Sequence, residues 1–218
     1  MTPLRGTIVL HENTSALARA GAEEVLRLAR EAVFTRGVFS VALTGGSSPG
    51  ALYRLLGEST IASEMPWEHV HLFWGDDRVV PPRHPRSNFR LAQDLFIGSV
   101  PIPAGNVHRV HGEESAERAA ARYEAEVIEF FGGPPRFDLV HLGLGEDGHV
   151  ASLFPFDSDV LLDRSRIARP ALFRPLGEWR VTLTYPVLNA ARRLEFLLPD
   201  PAKAGIARTA MRGPLDPV

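Results

Sequence analysis

The sequence predicts an α/β fold in which helices cover both faces of a mostly parallel sheet. The first observation is that short runs rich in β-branched residues alternate with amphipathic helical stretches. The second is that these stretches are long enough for the crossover connections that parallel strands need. With 218 residues, of which 44% are hydrophobic, the chain is predicted to form a single domain over residues 1–218.

Six segments are predicted as strands, because each is short, mostly apolar and bounded by Gly, Pro or charged residues. They are 7–10, 39–43, 70–74, 137–142, 181–184 and 194–198. Helices are predicted where apolar residues recur at helical spacing. They are 14–36, 51–56, 87–96 and 113–131. In the first helix, Asn13 or Thr14 is the expected N-cap and Gly37 the stop. Residues 154–175 give no clear pattern.

The composition argues against several classes of function. A formal net charge of -2 leaves no broad basic surface for nucleic acid or for membrane phosphates. The absence of cysteine excludes disulfides, thiolate metal sites and a cysteine nucleophile. No segment approaches the roughly 20 apolar residues of a membrane span, and residues 1–15 lack a signal-peptide pattern. We therefore expect a soluble cytoplasmic protein that binds neither nucleic acid nor membrane.

A glycine-rich segment follows the strand 39–43, and ligand sites in parallel sheets lie at the carboxyl ends of strands. It reads Thr44-Gly45-Gly46-Ser47-Ser48-Pro49-Gly50 and leads into the helix 51–56. Backbone N–H groups, two hydroxyl groups and the positive end of the helix dipole would suit a phosphate there. A plain turn capped by Ser47 or Ser48 explains this segment equally well when it is taken alone.

Two carboxylates and an arginine follow the strand 70–74. The segment is Gly75-Asp76-Asp77-Arg78, and His84-Pro85-Arg86-Ser87-Asn88 comes shortly after it. Such carboxylates can hold sugar hydroxyl groups or position water, although a simple ion pair is the commoner arrangement. His69 and His71 alternate along the strand, but no third ligand lies near them in the sequence. We therefore predict no metal site and treat both as ordinary strand residues.

The third segment, 143–155, follows the strand 137–142 and reads Gly-Leu-Gly-Glu-Asp-Gly-His-Val-Ala-Ser-Leu-Phe-Pro. Its Asp147 and His149 flank a glycine at the end of a buried strand. This arrangement suggests an imidazole oriented by a carboxylate, which is suited to general-base catalysis. A single histidine in such a place is more often structural.

Three well-known motifs are matched only in part. Residues 143–148 satisfy G-x-G-x-x-G, but Pro155 interrupts the helix that a dinucleotide site would need. Residues 46–50 satisfy the G-x-S-x-G pattern of serine hydrolases, but Pro49 lacks the N–H that would serve as oxyanion donor, so Ser48 is a poor nucleophile. The glycine-rich segment also lacks the Gly-Lys-Ser/Thr of nucleotide phosphate loops.

In order and spacing, the three segments resemble the 6-phosphogluconolactonase family, and the resemblance extends through 180–189 to Lys203. The related glucosamine-6-phosphate deaminases share Asp-Gly-His but continue with Ala-Phe-Asn-Glu-Pro, where this chain has Ala-Ser-Leu-Phe-Pro at 151–155. They also carry Asp-Glu-Tyr in place of Asp-Asp-Arg at 76–78, and lactonases commonly have Asp-Glu-Arg there. The resemblance therefore favours the lactonases.

The resemblance implies a Rossmann-like doubly wound sheet and a carboxylic ester hydrolase. The reaction would convert 6-phosphoglucono-δ-lactone to 6-phosphogluconate in the pentose phosphate pathway, with no metal and no organic cofactor. His149 would activate water, and Asp147 and Asp76 would arrange His149 and the sugar. The implied substrate-binding residues are Thr44, Gly45, Gly46, Ser47, Arg180 and Lys203, together with Arg78, which would contact substrate or a carboxylate.

Two alternatives remain open at this point. One is a deaminase or isomerase of amino-sugar phosphates, and the other is a sugar-phosphate sensor without turnover. Such sensors usually carry a DNA-binding segment, but the sequence shows no basic helix-turn-helix pattern, and the intact Asp147 and His149 favour an enzyme. We expect a monomer or weak dimer. Family members tend to continue past 213–217 into another strand, so an exposed sheet edge is expected here.

Overall fold

The computed structural model describes residues 6–212, along which helices and strands alternate as predicted. The helices are α1 (Thr14–Arg36), α2 (Gly50–Gly57), α3 (Ser59–Ala62), α4 (Asn88–Leu95), α5 (Ala116–Phe131), α6 (Ser158–Leu161), α7 (Tyr185–Asn189) and α8 (Ala204–Arg212). The strands are β1 (Phe39–Leu43), β2 (Val70–Trp74), β3 (Asp76–Arg78), β4 (Leu139–Leu142), β5 (Ala168–Phe173), β6 (Glu178–Leu183) and β7 (Arg193–Phe196). Short 3-10 turns precede β2 and α8.

The strands form two sheets. A parallel sheet has the order β2-β1-β4-β7, and a small antiparallel sheet has the order β3-β6-β5. In the parallel sheet Leu43 lies beside Trp74, so β1 and β2 end together. Because β4 runs parallel to β1 on its other side, the loops that follow these three strands open at the same edge of the sheet. The predicted mostly parallel sheet is confirmed.

Apolar clusters pack on both faces of the parallel sheet, as successive residues of a strand point to opposite sides. One cluster joins α1, α2 and α4 to Phe39, Val41 and Leu43. The other joins α5 and the antiparallel sheet to Ala42, Phe73 and Val140. The predicted covering of both faces is thereby confirmed, although strands as well as helices cover the second face.

α1 begins and ends where the sequence predicts. Oδ1 of Asn13 accepts a hydrogen bond from the backbone N of Ala16 at 2.9 Å, which caps the first turn. Gly37 ends the helix in the left-handed conformation, with φ 80°. The residues buried along it are small or β-branched and follow helical spacing: Ala18, Ala22, Val25, Ala29 and Ala32.

The predicted strand 181–184 is confirmed as part of β6, which lies in the antiparallel sheet. The predicted strand 7–10 was wrong. Residues 7–10 form no strand, and Ile8, Val9 and Leu10 are exposed, because an apolar β-branched run forms a strand only where a neighbour pairs with it. Residues 154–175 contain α6 and β5.

The segment 213–217, where an exposed sheet edge is expected, lies outside the described residues. Within residues 6–212 no helix is long and apolar enough to cross a membrane.

His71 of β2 belongs to a chain of hydrogen-bonded side chains. Its Nδ1 lies 3.0 Å from Nε2 of His108, and Nδ1 of His108 lies 2.8 Å from Oε1 of Glu126. The ring of Phe130 packs against both imidazoles. Burial, helped by the nearby His108 and His69, lowers the pKa of His71 from 6.5 to about 4. His71 therefore has a structural partner that lies far away in the sequence.

The lowered pKa of His71 predicts a loss of stability in mild acid. As the pH falls from about 6.5 towards 4, the unfolded chain gains a proton at His71 that the folded chain does not, so the free energy of unfolding decreases. We expect His71→Gln to flatten this dependence in urea-unfolding measurements between about pH 7 and pH 4.5. The exposed His69 supplies a control, because it is the smallest of the three causes of the lowered pKa of His71, so His69→Gln should change the dependence far less than His71→Gln does. Parallel curves for wild type and His71→Gln would contradict the prediction.

Candidate active site

The loop that follows β1 depends on two glycines. Gly46 has φ 81°, a conformation that favours glycine. A Cβ at Gly45 would lie 1.8 Å from Oδ1 of Asn88, so the loop backbone lies directly against that amide. No side chain caps the following helix α2, and the capping by Ser47 or Ser48 that would explain a plain turn is not observed.

Buried tyrosines hold the ends of β1 and β2. The hydroxyl of Tyr53 donates to the carbonyl oxygen of Thr44 at 2.7 Å. The hydroxyl of Tyr123 donates to the carbonyl oxygen of Trp74 at 2.7 Å and accepts from its backbone N at 2.8 Å. Both tyrosines are fully buried. The loops thus leave the sheet from backbone positions that the core fixes.

Asp77 has a structural role in the loop after β2. Its carboxylate accepts hydrogen bonds at 2.6–3.1 Å from the backbone N of Arg78, Asn88 and Phe89 and from Oγ of Ser87. Burial raises the pKa of Asp77 to about 6, and the backbone hydrogen bonds oppose that rise. Asp77 therefore fastens this loop to the N-terminus of α4.

Asp76 lies on β3 opposite Thr182 of β6. Oγ of Ser152 donates to its Oδ2 at 2.6 Å, and Nη1 of Arg180 lies 3.9 Å from the same oxygen. Nδ2 of Asn88 donates to the backbone oxygen of Asp76 at 2.8 Å. The antiparallel sheet therefore brings Asp76 together with residues that are far apart in the sequence.

Arg78 is held chiefly by neutral oxygen atoms. Its Nη1 donates to Oδ1 of Asn88 at 2.8 Å and to the backbone oxygen of Arg86 at 2.7 Å. Its contact with a carboxylate is a long one, in which Nε lies 3.9 Å from Oε1 of Glu178. Arg78 thus supports the loop in which Asn88 contacts Gly45.

Arg180 is fixed by the buried carboxylate of Glu178. Nη2 of Arg180 lies 3.0 Å from Oε1 of Glu178, and Nη1 of Arg86 lies 2.7 Å from Oε2. The guanidinium group of Arg180 also lies over the rings of Phe154 and Phe173. Sequence reasoning missed Glu178, because the acidic residue in the run Glu-Trp-Arg shows no signal of burial.

Asp147 and His149 form the predicted pair. Nδ1 of His149 lies 2.5 Å from Oδ1 of Asp147, which also accepts a hydrogen bond from the backbone N of His149 at 3.2 Å. Burial raises the pKa of Asp147, but the hydrogen bonds from His149 lower it more, and the net pKa lies below the ordinary value. A Cβ at Gly145 would lie 2.2 Å from Nδ1 of His149, so the pair rests directly on this glycine. Nε2 of His149 is left as the nitrogen that can face a ligand.

Lys203 is the single lysine of the chain, which contains 24 lysine and arginine residues. It lies in the 3-10 turn before α8, and its Nζ donates to the backbone oxygen of Leu144 at 2.6 Å. Leu144 directly precedes Gly145. The ammonium group therefore lies at the start of the loop that carries Asp147 and His149.

The loops meet at one edge of the parallel sheet. A Cβ at Gly143 would lie 3.8 Å from Oγ1 of Thr44, which joins the loops after β1 and β4. Asn88 contacts both Gly45 in the loop after β1 and Asp76 after β2. Asp76 in turn accepts a hydrogen bond from Ser152, which lies in the same segment as His149. The structure thus brings together the predicted residues of all three loops, with Arg180 and Lys203 at their sides. In residues 6–212 no group of three or more His, Asp or Glu side chains could hold a metal ion.

Comparisons with known proteins agree on one family. The family described as "Glucosamine-6-phosphate isomerases/6-phosphogluconolactonase" matches residues 12–217. A 6-phosphogluconolactonase of Nostoc is 38% identical over 195 residues, which cover 87% of this chain and 78% of that protein. One from Haemophilus influenzae is 35% identical over 176 residues, with 81% and 75% covered. A solved 6-phosphogluconolactonase from Thermotoga maritima superposes with a TM-score of 0.72 at 31% identity, covering 83% of this chain and 78% of the other.

Proposed function

This chain belongs to the family of glucosamine-6-phosphate isomerases and 6-phosphogluconolactonases, and we propose that it hydrolyses 6-phosphoglucono-δ-lactone to 6-phosphogluconate, a step of the pentose phosphate pathway. The observation that carries this proposal is the contact between Asp147 and Nδ1 of His149. It orients an imidazole at the edge of the sheet where ligands of such folds bind. The lactonases among the relatives support the choice of reaction within the family.

In the proposed reaction, water attacks the lactone carbonyl carbon while Nε2 of His149 takes a proton from it. A tetrahedral centre forms, and its bond to the ring oxygen then breaks. The proton on His149 passes to the leaving ring oxygen, which becomes a hydroxyl group, and the carboxylic acid ionises. Asp147 stabilises the imidazolium during this sequence, because its carboxylate lies at Nδ1. No covalent enzyme intermediate and no metal is needed.

The phosphate of the substrate is proposed to lie in the loop Thr44, Gly45, Gly46 and Ser47. The close approach at Gly45, the left-handed backbone at Gly46 and the start of α2 give this loop a shape suited to an anion. Lys203, which contacts the loop after β4, and Arg180, which lies beside Asp76, are proposed to add positive charge to the phosphate site. Asp76 and Arg78 are proposed to contact the sugar from the loop after β2.

The finer organisation is also a proposal. A single domain fits the two apolar clusters, because they share one parallel sheet. The lack of a nucleic-acid partner fits the net charge of -2. We also propose a monomer or weak dimer located in the cytoplasm. Analytical ultracentrifugation with and without a DNA duplex tests both the oligomeric state and the absence of DNA binding.

The direct test of the function is a comparison of freshly prepared 6-phosphogluconolactone with and without the protein. We expect acid release well above the spontaneous rate, and we expect it to persist after exhaustive chelation. Glucosamine 6-phosphate serves as the second substrate. Release of ammonia from it, with no acceleration of lactone hydrolysis, would show that the deaminase assignment is the correct one.

A prediction about Lys203 tests the phosphate site. Lys203→Ala should raise KM for the phosphorylated lactone by about 10- to 100-fold, because a charge-assisted hydrogen bond contributes roughly 1.5–3 kcal/mol. Loss of the contact with Leu144 could instead disturb catalysis generally. Unphosphorylated gluconolactone separates the two effects, since its kcat/KM should change little. An equal loss on both substrates would contradict a role in phosphate binding.

A further inference from the structure

Ser152 is buried in the site, yet the proposed reaction assigns it no role. Its residue is 0% exposed, so its hydroxyl group is not accessible as a nucleophile. Oγ donates to Oδ2 of Asp76 at 2.6 Å, and its backbone N donates to Oγ1 of Thr182 at 3.2 Å. Asp76 and Thr182 are a directly opposed pair of the antiparallel sheet. Ser152 therefore attaches its own loop to both members of that pair.

The backbone before Ser152 adopts a costly conformation. Ala151 has φ 49°, and within the described residues no other residue except glycine has a positive φ. This conformation costs an alanine about 1–2 kcal/mol, so the surrounding contacts must enforce it. The turn is closed by the backbone N of Leu153, which donates to the carbonyl oxygen of Val150 at 2.9 Å. The strained turn holds Ser152 where it reaches Asp76.

Ser152 also lies three positions after His149. The tight turn at 150–153, closed between Val150 and Leu153, is the short stretch of backbone that links them. On the other side, Asn88 is 3.5 Å from Oδ1 of Asp76, a long contact that alone would orient the carboxylate weakly. The hydrogen bond from Oγ of Ser152 to the same carboxylate, at 2.6 Å, is much shorter.

We propose that Ser152 is a positioning residue that fixes the carboxylate of Asp76 and holds it in register with His149. The inference rests on the proposed lactone hydrolysis. In this proposal Ser152 makes no contact with substrate. Ser152 acts by orienting Asp76 and by fixing the turn that links Ser152 to His149.

The test is a double-mutant cycle on lactone hydrolysis. Ser152→Ala should lower kcat by about tenfold or more, since small misplacements of catalytic groups are costly. In an Asp76→Asn background, the same change should lower kcat clearly less, because its main partner is already altered. Ser152→Cys, which keeps a donor group at this position but is somewhat larger and a weaker donor, should lie between wild type and Ser152→Ala, and it serves if Ser152→Ala folds poorly.

Ser40 provides a matched control. It is buried, and its Oγ donates to Oδ2 of Asp138 at 3.1 Å near the opposite ends of the strands. Ser40→Ala should lower Tm much as Ser152→Ala does and leave kcat unchanged. The inference is overturned if wild type is active and Ser152→Ala keeps its kcat, or if Ser152→Ala is equally harmful in both backgrounds. An inactive wild type overturns the proposed function itself, and this inference with it.

Discussion

His149→Asn should lower kcat for lactone hydrolysis by on the order of 10²–10⁴-fold, which is the usual contribution of a positioned general base. Asparagine can still donate towards Asp147, so the loop should keep its shape, but its amide cannot accept a proton from water. The affinity for 6-phosphogluconate should remain about the same, because the phosphate loop is unchanged. Stopped assays with the fresh lactone measure kcat, and calorimetry measures product affinity.

Asp147→Asn tests the supporting role of the carboxylate in the same assays. We expect a smaller loss than for His149→Asn, since Asp147 orients the ring but does not itself take the proton. The exposed His69→Asn is the control for the loss of a histidine and should have normal kcat. Near-normal turnover in His149→Asn, or a covalent ester trapped on any serine, would refute the mechanism.

Gly145→Ala should have a comparably large effect without any change of a polar group. The new methyl group would lie 2.2 Å from Nδ1 of His149 and 2.6 Å from Oδ1 of Asp147, so both side chains must move. They can move outwards, because their side chains are 23% and 42% exposed, and the fold should therefore survive. We expect kcat/KM to fall by about 10²-fold, as catalytic groups displaced by about 1 Å can lose that much.

The control for this prediction is Gly105→Ala. A Cβ at Gly105 meets nothing within 4 Å, so the variant should match wild type in both kcat/KM and Tm. The Tm of Gly145→Ala should also stay close to that of wild type. If Gly145→Ala were fully active, the Asp147–His149 contact would not be the catalytically competent arrangement.

Much of the fold follows from local pattern. β1, β2 and α1 have their predicted bounds, since Asn13, Gly37 and the runs of buried apolar residues mark their ends. The antiparallel sheet was not predicted, because β3 has only three residues and β5 lies in a stretch without periodicity. Its existence depends on pairing between distant segments, which no local window contains.

The residues of the candidate site also differ in whether the sequence predicts their contacts. Asp147 and His149 could be found from the sequence, because their contact is between residues only two positions apart. The contacts of Ser152 with Asp76 and of Glu178 with Arg86 cross between elements of the antiparallel sheet and neighbouring loops. Nothing in their own sequence neighbourhood distinguishes these polar residues from exposed ones. Residues that support a site are thus harder to predict than those that act in it.

The buried hydroxyl groups of Tyr53 and Tyr123 have a consequence for the thermodynamics of binding. They tie the backbone at Thr44 and Trp74 to the core without any ligand. The conformational entropy of these strand ends is therefore lost when the chain folds and does not have to be lost again on each encounter with substrate. More of the interaction energy with the sugar phosphate then remains for stabilising the transition state, which is the part of binding that accelerates a reaction.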